Sequence, residues 1–159
     1  MTSRLYHLDL PADRLEGEVV AALFFEDERP LRGPAALLDW RLNGRLTELL
    51  AQGRASGAGG EHVLVANNGK LGSGAALFCG AGKGKELETD AYFGFIRHLL
   101  ETCRKSGFCR FALCLTPPPT IEEGELIQWM AEILEEMAGE EELECLLSFM
   151  EVGTARWLR

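Results

Sequence analysis

The segment that most restricts the fold is a continuous apolar run, V-V-A-A-L-F-F, from Val19 to Phe25. Charged residues bound the run on both sides, and a strand without polar alternation is typical of a sheet covered on both faces. Three amphipathic segments of helical length alternate with further strand-like runs along the rest of the chain. Such alternation predicts helices that cross back over a mixed, mostly parallel sheet. The expected architecture is a three-layer α/β/α fold with this run near the centre of the sheet.

The other elements are predicted from periodicity and turn residues. Leucines at helical spacing predict one helix from Pro34 to Gly53, in which Gly44 is expected to allow a close approach to a neighbouring element. The last of the three helices is expected to start with a Thr120–Glu123 capping box. The glycine-rich stretch 53–60 predicts an irregular, flexible connection. The remaining strand-like runs are Leu5–Leu10, His62–Ala66, Ala75–Cys79, Phe108–Leu115 and Cys145–Val152.

Composition excludes several classes of partner. A chain of 159 residues with 47% hydrophobic content is expected to form one domain, spanning residues 1–159, around one core. The net charge of -9 repels phosphate backbones and anionic membranes, so neither nucleic acid nor a membrane is an expected partner. An apolar run of membrane-spanning length is absent, and the first residues do not have the pattern of a signal peptide. Together with five cysteines that form no C-x-x-C motif, this predicts a cytoplasmic protein with reduced thiols.

The ionisable and aromatic residues do not form a recognisable catalytic or metal-binding pattern. The three histidines are isolated from one another in sequence, and no cysteine or serine has an evident partner, so no catalytic residue, metal or cofactor is expected. The acidic residues 26–28 predict a solvated loop. The sequence predicts buried positions for Cys103, Cys109 and Cys114 and for Trp40 and Trp129 on helices, whereas Trp157 either folds back or anchors a partner.

Two loops are candidates for binding a small ligand. Gly80, Gly82, Lys83 and Gly84 lie in G-A-G-K-G-K between a strand and a helix, where backbone N–H groups and a lysine can hold a phosphate. The spacing matches neither the dinucleotide-binding nor the P-loop motif, so a simple turn is favoured.

The second candidate loop, within Val65–Ala76, resembles the asparagine and glycine-loop pattern of macro domains that bind ADP-ribose. In a macro domain a helix would follow, whereas here a strand is predicted. Asn67, Asn68 and Gly69 are therefore expected mainly to form a turn, with ligand binding as the alternative.

A wider resemblance covers most of the chain. The segments F-F-E-D-E-R-P-L-R-G and L-L-D-W-R-L-N-G-R-L, followed by G-K-L and by a strand ending in C-G-A-G-K, resemble the amino-terminal domain of the leucyl aminopeptidase family, peptidase family M17. That domain is similar in fold to macro domains. In the family, the ligands of two metal ions and an N-T-D-A-E-G-R stretch belong to a separate catalytic domain, and this sequence has no such stretch.

The resemblance implies a non-catalytic protein rather than an enzyme. Similar domains in complete enzymes pack beside the catalytic domain and help to set the hexamer geometry. A role as a protein-interaction or assembly module, with a protein partner or with self-association, is therefore the leading expectation. The alternative is a module that binds a small molecule such as a nucleotide or ADP-ribose.

Overall fold

The structure, a computed structural model, describes residues 3–150. The strands found in this range are β1 Ser3–His7, β2 Val19–Phe24, β3 His62–Ala66, β4 Ala75–Gly80, β5 Arg110–Cys114 and β6 Leu143–Ser148. The helices are α1 Gly33–Arg41, α2 Arg45–Ala51, α3 Thr89–Lys105 and α4 Glu123–Ala138, with short 3-10 turns at Ala12–Arg14 and Gly84–Glu86.

The strands of the described region form one sheet in the order β1-β6-β5-β2-β4-β3. Strand β3 is antiparallel to β4, and every other neighbouring pair is parallel. The predicted mixed, mostly parallel sheet is therefore confirmed. Strand β2 has a hydrogen-bonded neighbour on each side, as its apolar sequence predicts.

Alternate side chains of β2 belong to two separate cores. Val19 and Ala21 face the core beneath α3 and α4, whereas Val20, Ala22 and Phe24 face the core beneath α1 and α2. All five side chains are completely buried. Because each face of the sheet has its own pair of helices, the three-layer α/β/α architecture is confirmed.

The predicted single helix from Pro34 to Gly53 is wrong in one respect, because it is two helices. Asn43 and Gly44 adopt left-handed backbone conformations, with φ of 59° and 74°, and α1 ends before them while α2 begins after them. Open space surrounds the position that a Cβ of Gly44 would take, so this glycine serves the backbone conformation and not a close approach. The Asn-Gly pair is a turn pattern that the leucine periodicity obscured.

Three smaller predictions are also wrong. The Thr120–Glu123 capping box does not form, since α4 has Glu122 at its N-cap without a side-chain hydrogen bond. Trp40 is 60% exposed, because the apolar face of α1 is carried by Leu37 and Leu38 and not by the tryptophan. Cys109 is exposed at the turn before β5.

The other cysteines of the described chain are buried thiols, as predicted for Cys103 and Cys114. Burial raises the pKa of Cys79 to about 11 and that of Cys103 to about 12, with a smaller contribution from Cys79 in the second case. Thiolate formation at these two positions is thus suppressed at neutral pH. Trp157 and the end of the predicted strand Cys145–Val152 lie outside the described residues.

The connection between α2 and β3 is irregular, as predicted, and hydrogen bonds hold its backbone in place. Glu61 Oε1 accepts from the N–H groups of Ser56 and Gly57, each at 2.8 Å. The Arg29 guanidinium donates to the Ser56 carbonyl at 2.8 Å. This connection therefore packs against the loop that follows β2.

The junction between α1 and α2 depends on Asp39, which is 6% exposed. Its Oδ1 accepts from the N–H groups of Leu46 and Thr47 at 2.7 and 3.3 Å, and its Oδ2 accepts from Thr47 Oγ1 at 2.5 Å. A carboxylate seven residues upstream thus satisfies amides in the first turn of α2.

We expect Asp39→Ala to lower the free energy of unfolding by about 2–3 kcal/mol, because it removes a helix cap and leaves buried donors without an acceptor. Chemical denaturation measures the change. Glu48→Ala, which removes the exposed ion pair with Arg45, is the control and should change stability by less than about 1 kcal/mol. Equal effects of the two substitutions would contradict the role assigned to Asp39.

Candidate functional site

A crevice opens between the carboxyl ends of β2 and β5. The chain leaves β2 towards α1 on one face of the sheet and leaves β5 towards α4 on the other face. Where the connections of neighbouring parallel strands diverge in this way, an open α/β sheet usually holds its ligand. A cavity of about 530 Å³ lies at this point.

The cavity has an apolar interior and a charged rim. Apolar side chains from the ends of both strands and from the following loops form much of its wall, and carboxylates and cations of the loop after β2 lie beside them. A volume of this size suits a small organic molecule. The lining includes Leu23, Phe25, Asp27, Glu28, Arg29, Arg32, Gly84, Lys85, Leu87, Tyr92, Cys114, Leu115 and Pro118.

Tyr92, in the first half of α3, lines the cavity, and among the described residues its hydroxyl group is buried without a hydrogen-bond partner. The residue is 2% exposed. Burial raises the pKa of Tyr92, with a smaller contribution from Cys114, so the hydroxyl stays protonated. A buried O–H group without an acceptor costs about 1–3 kcal/mol, and an acceptor atom placed next to it would recover that free energy.

The Asp27 carboxylate accepts hydrogen bonds from backbone N–H groups of the glycine-rich turn after β4, where the sequence suggested a phosphate site. Its Oδ1 accepts from the Gly84 N–H at 2.8 Å, and its Oδ2 accepts from the Lys85 N–H at 3.1 Å. These hydrogen bonds, that from Lys85 first, lower the pKa of Asp27 below its usual range, so the carboxylate stays ionised. The glycine-rich turn therefore already holds an anion, which this chain itself supplies.

The other charged residues of the rim have different roles. The Arg29 guanidinium donates to the carbonyl groups of Phe25 and Glu28 at 2.7 and 2.6 Å, so it organises the loop after β2. Burial raises the pKa of Glu28, and nearby Arg32 opposes that shift. Arg32 and Lys85 place cationic side chains at the cavity.

The two candidate loops predicted from the sequence lie in different parts of the structure. Of the first set, Gly84 lines the cavity, whereas Lys83 is exposed and lies outside the lining. A Cβ at Gly80 would overlap the backbone of Gly57 and Ala58, so this glycine is needed for packing. Gly82 has a φ of 73°, which explains its use in a turn.

The second set lies at the opposite end of the strands, because β3 runs antiparallel to β4 and their connecting loop leads into the amino end of β4. Asn67 Oδ1 accepts from the N–H groups of Gly69 and Leu71 at 2.9 and 3.0 Å. Asn68 Nδ2 donates to the Arg41 carbonyl at 3.0 Å. The two asparagine side chains thus hold this loop in place through hydrogen bonds within the protein.

Sequence reasoning missed Arg32, Lys85 and Tyr92. Arg32 immediately precedes α1, and Lys85 lies two residues after the lysine that was chosen. Tyr92 lies on the buried face of α3, where helical periodicity predicts only packing. Arg32 and Lys85 could have been found from their positions, because one lies directly before a helix and the other follows the carboxyl end of a strand. An unsatisfied hydroxyl, in contrast, leaves no pattern in a sequence.

Residues 3–150 contain no group of three or more His, Cys, Asp or Glu side chains arranged to hold a metal ion. Over the same range, the helices are too short or too polar to span a bilayer.

Comparison with known proteins identifies relatives of the chain. Residues 22–141 match the family described as "Cytosol aminopeptidase family, N-terminal domain". A mutant of tomato leucine aminopeptidase has a similar structure, with a TM-score of 0.69 and 15% identity over 97% of this chain and 34% of that chain. The chain therefore spans about a third of the length of that enzyme, since 34% of it is covered.

Two macro domains also have similar structures. The macrodomain of Mycobacterium tuberculosis DarG has a TM-score of 0.63 at 10% identity, covering 91% of this chain and 98% of that chain. The macro domain of ganglioside induced differentiation associated protein 2 has a TM-score of 0.59 at 14% identity, covering 98% and 82%. None of the curated proteins compared with the sequence matches it.

At these low identities, the structural similarities establish a macro-domain-like fold, while the family match covers most of the chain. The protein therefore belongs to the cytosol aminopeptidase family, through that family's N-terminal domain.

Proposed function

We propose that this domain is a non-catalytic binding module whose small ligand occupies the cavity between the carboxyl ends of β2 and β5. The observation that carries the proposal is the Tyr92 hydroxyl, which is buried at this cavity without an acceptor. A buried polar group that the protein leaves unsatisfied needs an explanation, and a ligand that supplies the acceptor provides one.

The cavity also defines the chemistry of the ligand. Leu23, Phe25 and Leu115 offer apolar surface for an aromatic or aliphatic part, whereas Arg32 and Lys85 offer positive charge at the rim. A matching ligand has an apolar part, an acceptor atom for the tyrosine and an anionic group. Nucleotides have all three features.

The proposal includes no chemical reaction. The family match is to the N-terminal domain, and the resemblance assigns the metal ligands of this family to a different domain. A cytosolic location is part of the proposal, because the thiols of the described chain and the acidic net charge of -9 suit a reducing compartment without a membrane partner.

Tyr92→Phe tests how the buried hydroxyl affects stability in the absence of ligand. Tyr92→Phe removes only the hydroxyl, so we expect the free energy of unfolding to rise by about 1 kcal/mol, because an unsatisfied buried donor disappears. Chemical denaturation measures the effect. Tyr6→Phe is the matched control, since Tyr6 is partly exposed and its hydroxyl bonds to Glu144. A loss of stability in Tyr92→Phe comparable to that of a broken hydrogen bond would contradict the assignment.

Ligand binding to the cavity can be measured directly. Calorimetry with AMP and ADP-ribose should detect saturable binding of at least one probe to the wild-type protein. Tyr92→Phe should weaken that binding by about tenfold, corresponding to roughly 1.4 kcal/mol, and Arg32→Gln should weaken it by a similar factor, since it removes a charged partner. Binding should be unchanged in Tyr6→Phe.

Two results would argue against this ligand class. One is the absence of heat and of any thermal shift with both probes. The other is binding that tolerates both the Tyr92 and the Arg32 substitutions, because the ligand would then occupy another part of the surface.

An interaction module is the second candidate function, and the observation that favours it is Trp40. Its indole is 60% exposed, and the Arg41 guanidinium lies 4.9 Å from the ring centroid. Exposed tryptophans beside a concave surface often anchor protein interfaces. A groove of about 520 Å³ adjoins this side chain, lined by Pro30, Leu31, Ala36, Asp39, Trp40, Asn43, Gly44 and Thr47.

If Trp40 anchors a second copy of the chain, sedimentation velocity from micromolar to millimolar concentration should show a dimer that Trp40→Ala abolishes. Leu64→Ala is the control, because Leu64 is also exposed, at 59%, but lies on β3 away from the groove. A monomer at every concentration, together with a pull-down that retains no partner, would count against the interaction role.

A further inference from the structure

Two of the three histidines, distant in sequence, meet at the surface. His62 begins β3, an edge strand of the sheet, and His98 lies in the middle of α3. Their Nε2 atoms are 2.9 Å apart, their ring centroids are 4.9 Å apart, and their planes differ by 12°. The short distance between nitrogens combined with the long distance between centroids means that the rings meet tip to tip. His62 is exposed, and His98 is partly exposed.

A neighbouring hydroxyl lies beside the pair. Thr102 Oγ1 donates to the His98 carbonyl at 2.8 Å and lies 3.5 Å from the His62 Nε2. The two Nε2 atoms share one proton, which either imidazole can carry according to its tautomer. A hydrogen bond between two imidazole nitrogens thus joins β3 to α3.

We propose that His62 and His98 form a two-histidine site for a divalent transition-metal ion of the Ni²⁺ or Cu²⁺ type. The ion takes the place of the shared proton and binds both Nε2 atoms, and water fills its other positions. Imidazole nitrogen is a preferred ligand of these ions. This site is separate from the cavity at the carboxyl ends of β2 and β5, and neither histidine lines that cavity.

The distance between the nitrogens favours a particular coordination geometry. With metal–nitrogen bonds of about 2.0–2.1 Å, two ligands at a right angle lie about 2.9 Å apart, and two tetrahedral ligands lie about 3.3–3.4 Å apart. The observed 2.9 Å therefore matches adjacent corners of a square-planar or octahedral ion. Each of the two rings would have to turn so that both lone pairs point at the ion while this distance is kept. Zn²⁺, which prefers tetrahedral ligands, would need the rings to separate.

The number of protein ligands determines whether a metal ion is held permanently or exchanges with solvent. In residues 3–150 no third His, Cys, Asp or Glu side chain joins the pair at a metal-binding distance. Structural metal sites normally use four protein ligands. The His62–His98 site is therefore an open, exchangeable one that links the edge strand β3 to α3 when an ion is bound.

The test is calorimetry of tag-free protein with NiCl₂. To exclude binding by the exposed thiol, all proteins carry Cys109→Ser. We expect one Ni²⁺ ion per chain, and we expect His62→Gln and His98→Gln each to weaken binding by at least about tenfold. His7→Gln is the matched control and should bind Ni²⁺ normally, because the His7 ring packs on Phe149 and not against another histidine.

A second measurement uses protein with both histidines intact, which avoids dependence on the folding of the variants. In NMR spectra, substoichiometric Ni²⁺ should broaden the imidazole resonances of His62 and His98 and spare those of His7. The proposal is overturned if no saturable binding occurs, if the double variant His62→Gln/His98→Gln binds as well as its parent, or if the broadening is equal at all three histidines.

Discussion

Strand β2 is buried on both faces and hydrogen-bonded on both edges, and this burial positions every other part of the molecule. Apolar side chains on each face require a separate helical layer to cover them, so α1 and α2 pack on one side while α3 and α4 pack on the other. Because the connections after β2 and β5 then leave in opposite directions, their carboxyl ends cannot both be covered by the same helix. The crevice at this point is thus a consequence of how the central strand is buried.

Strands and helices that are buried along their own length leave an apolar pattern in the sequence, and these elements were predicted well. The continuous apolar run from Val19 to Phe25 corresponds to β2, which ends one residue earlier, at Phe24. The break between α1 and α2 was missed, since leucines at helical spacing continue through it. There, two left-handed residues and the carboxylate of Asp39 decide the chain path, and neither contributes to hydrophobic periodicity.

The candidate site was predicted less well because it depends on strand neighbours that are far apart in sequence. The pairing of β2 with β5 joins segments about ninety residues apart, as in the contact of Val19 with Phe111. Without that pairing, nothing in the sequence shows that Arg32 and Tyr92 share a cavity. The antiparallel direction of β3 places Asn67 at the other end of the strands, away from the cavity. This direction is likewise a property of the sheet and not of the loop.

Asp27 gives the glycine turn after β4 a selectivity of its own. Its carboxylate is tethered next to the amides of Gly84 and Lys85, so it is present there at a high effective concentration compared with any dissolved anion. An incoming phosphate would have to expel this internal competitor and then lie against its negative charge. A ligand whose negative charge lies farther from the turn, next to the arginine and lysine side chains, would avoid this repulsion. The turn would therefore select ligands by the position of their charge.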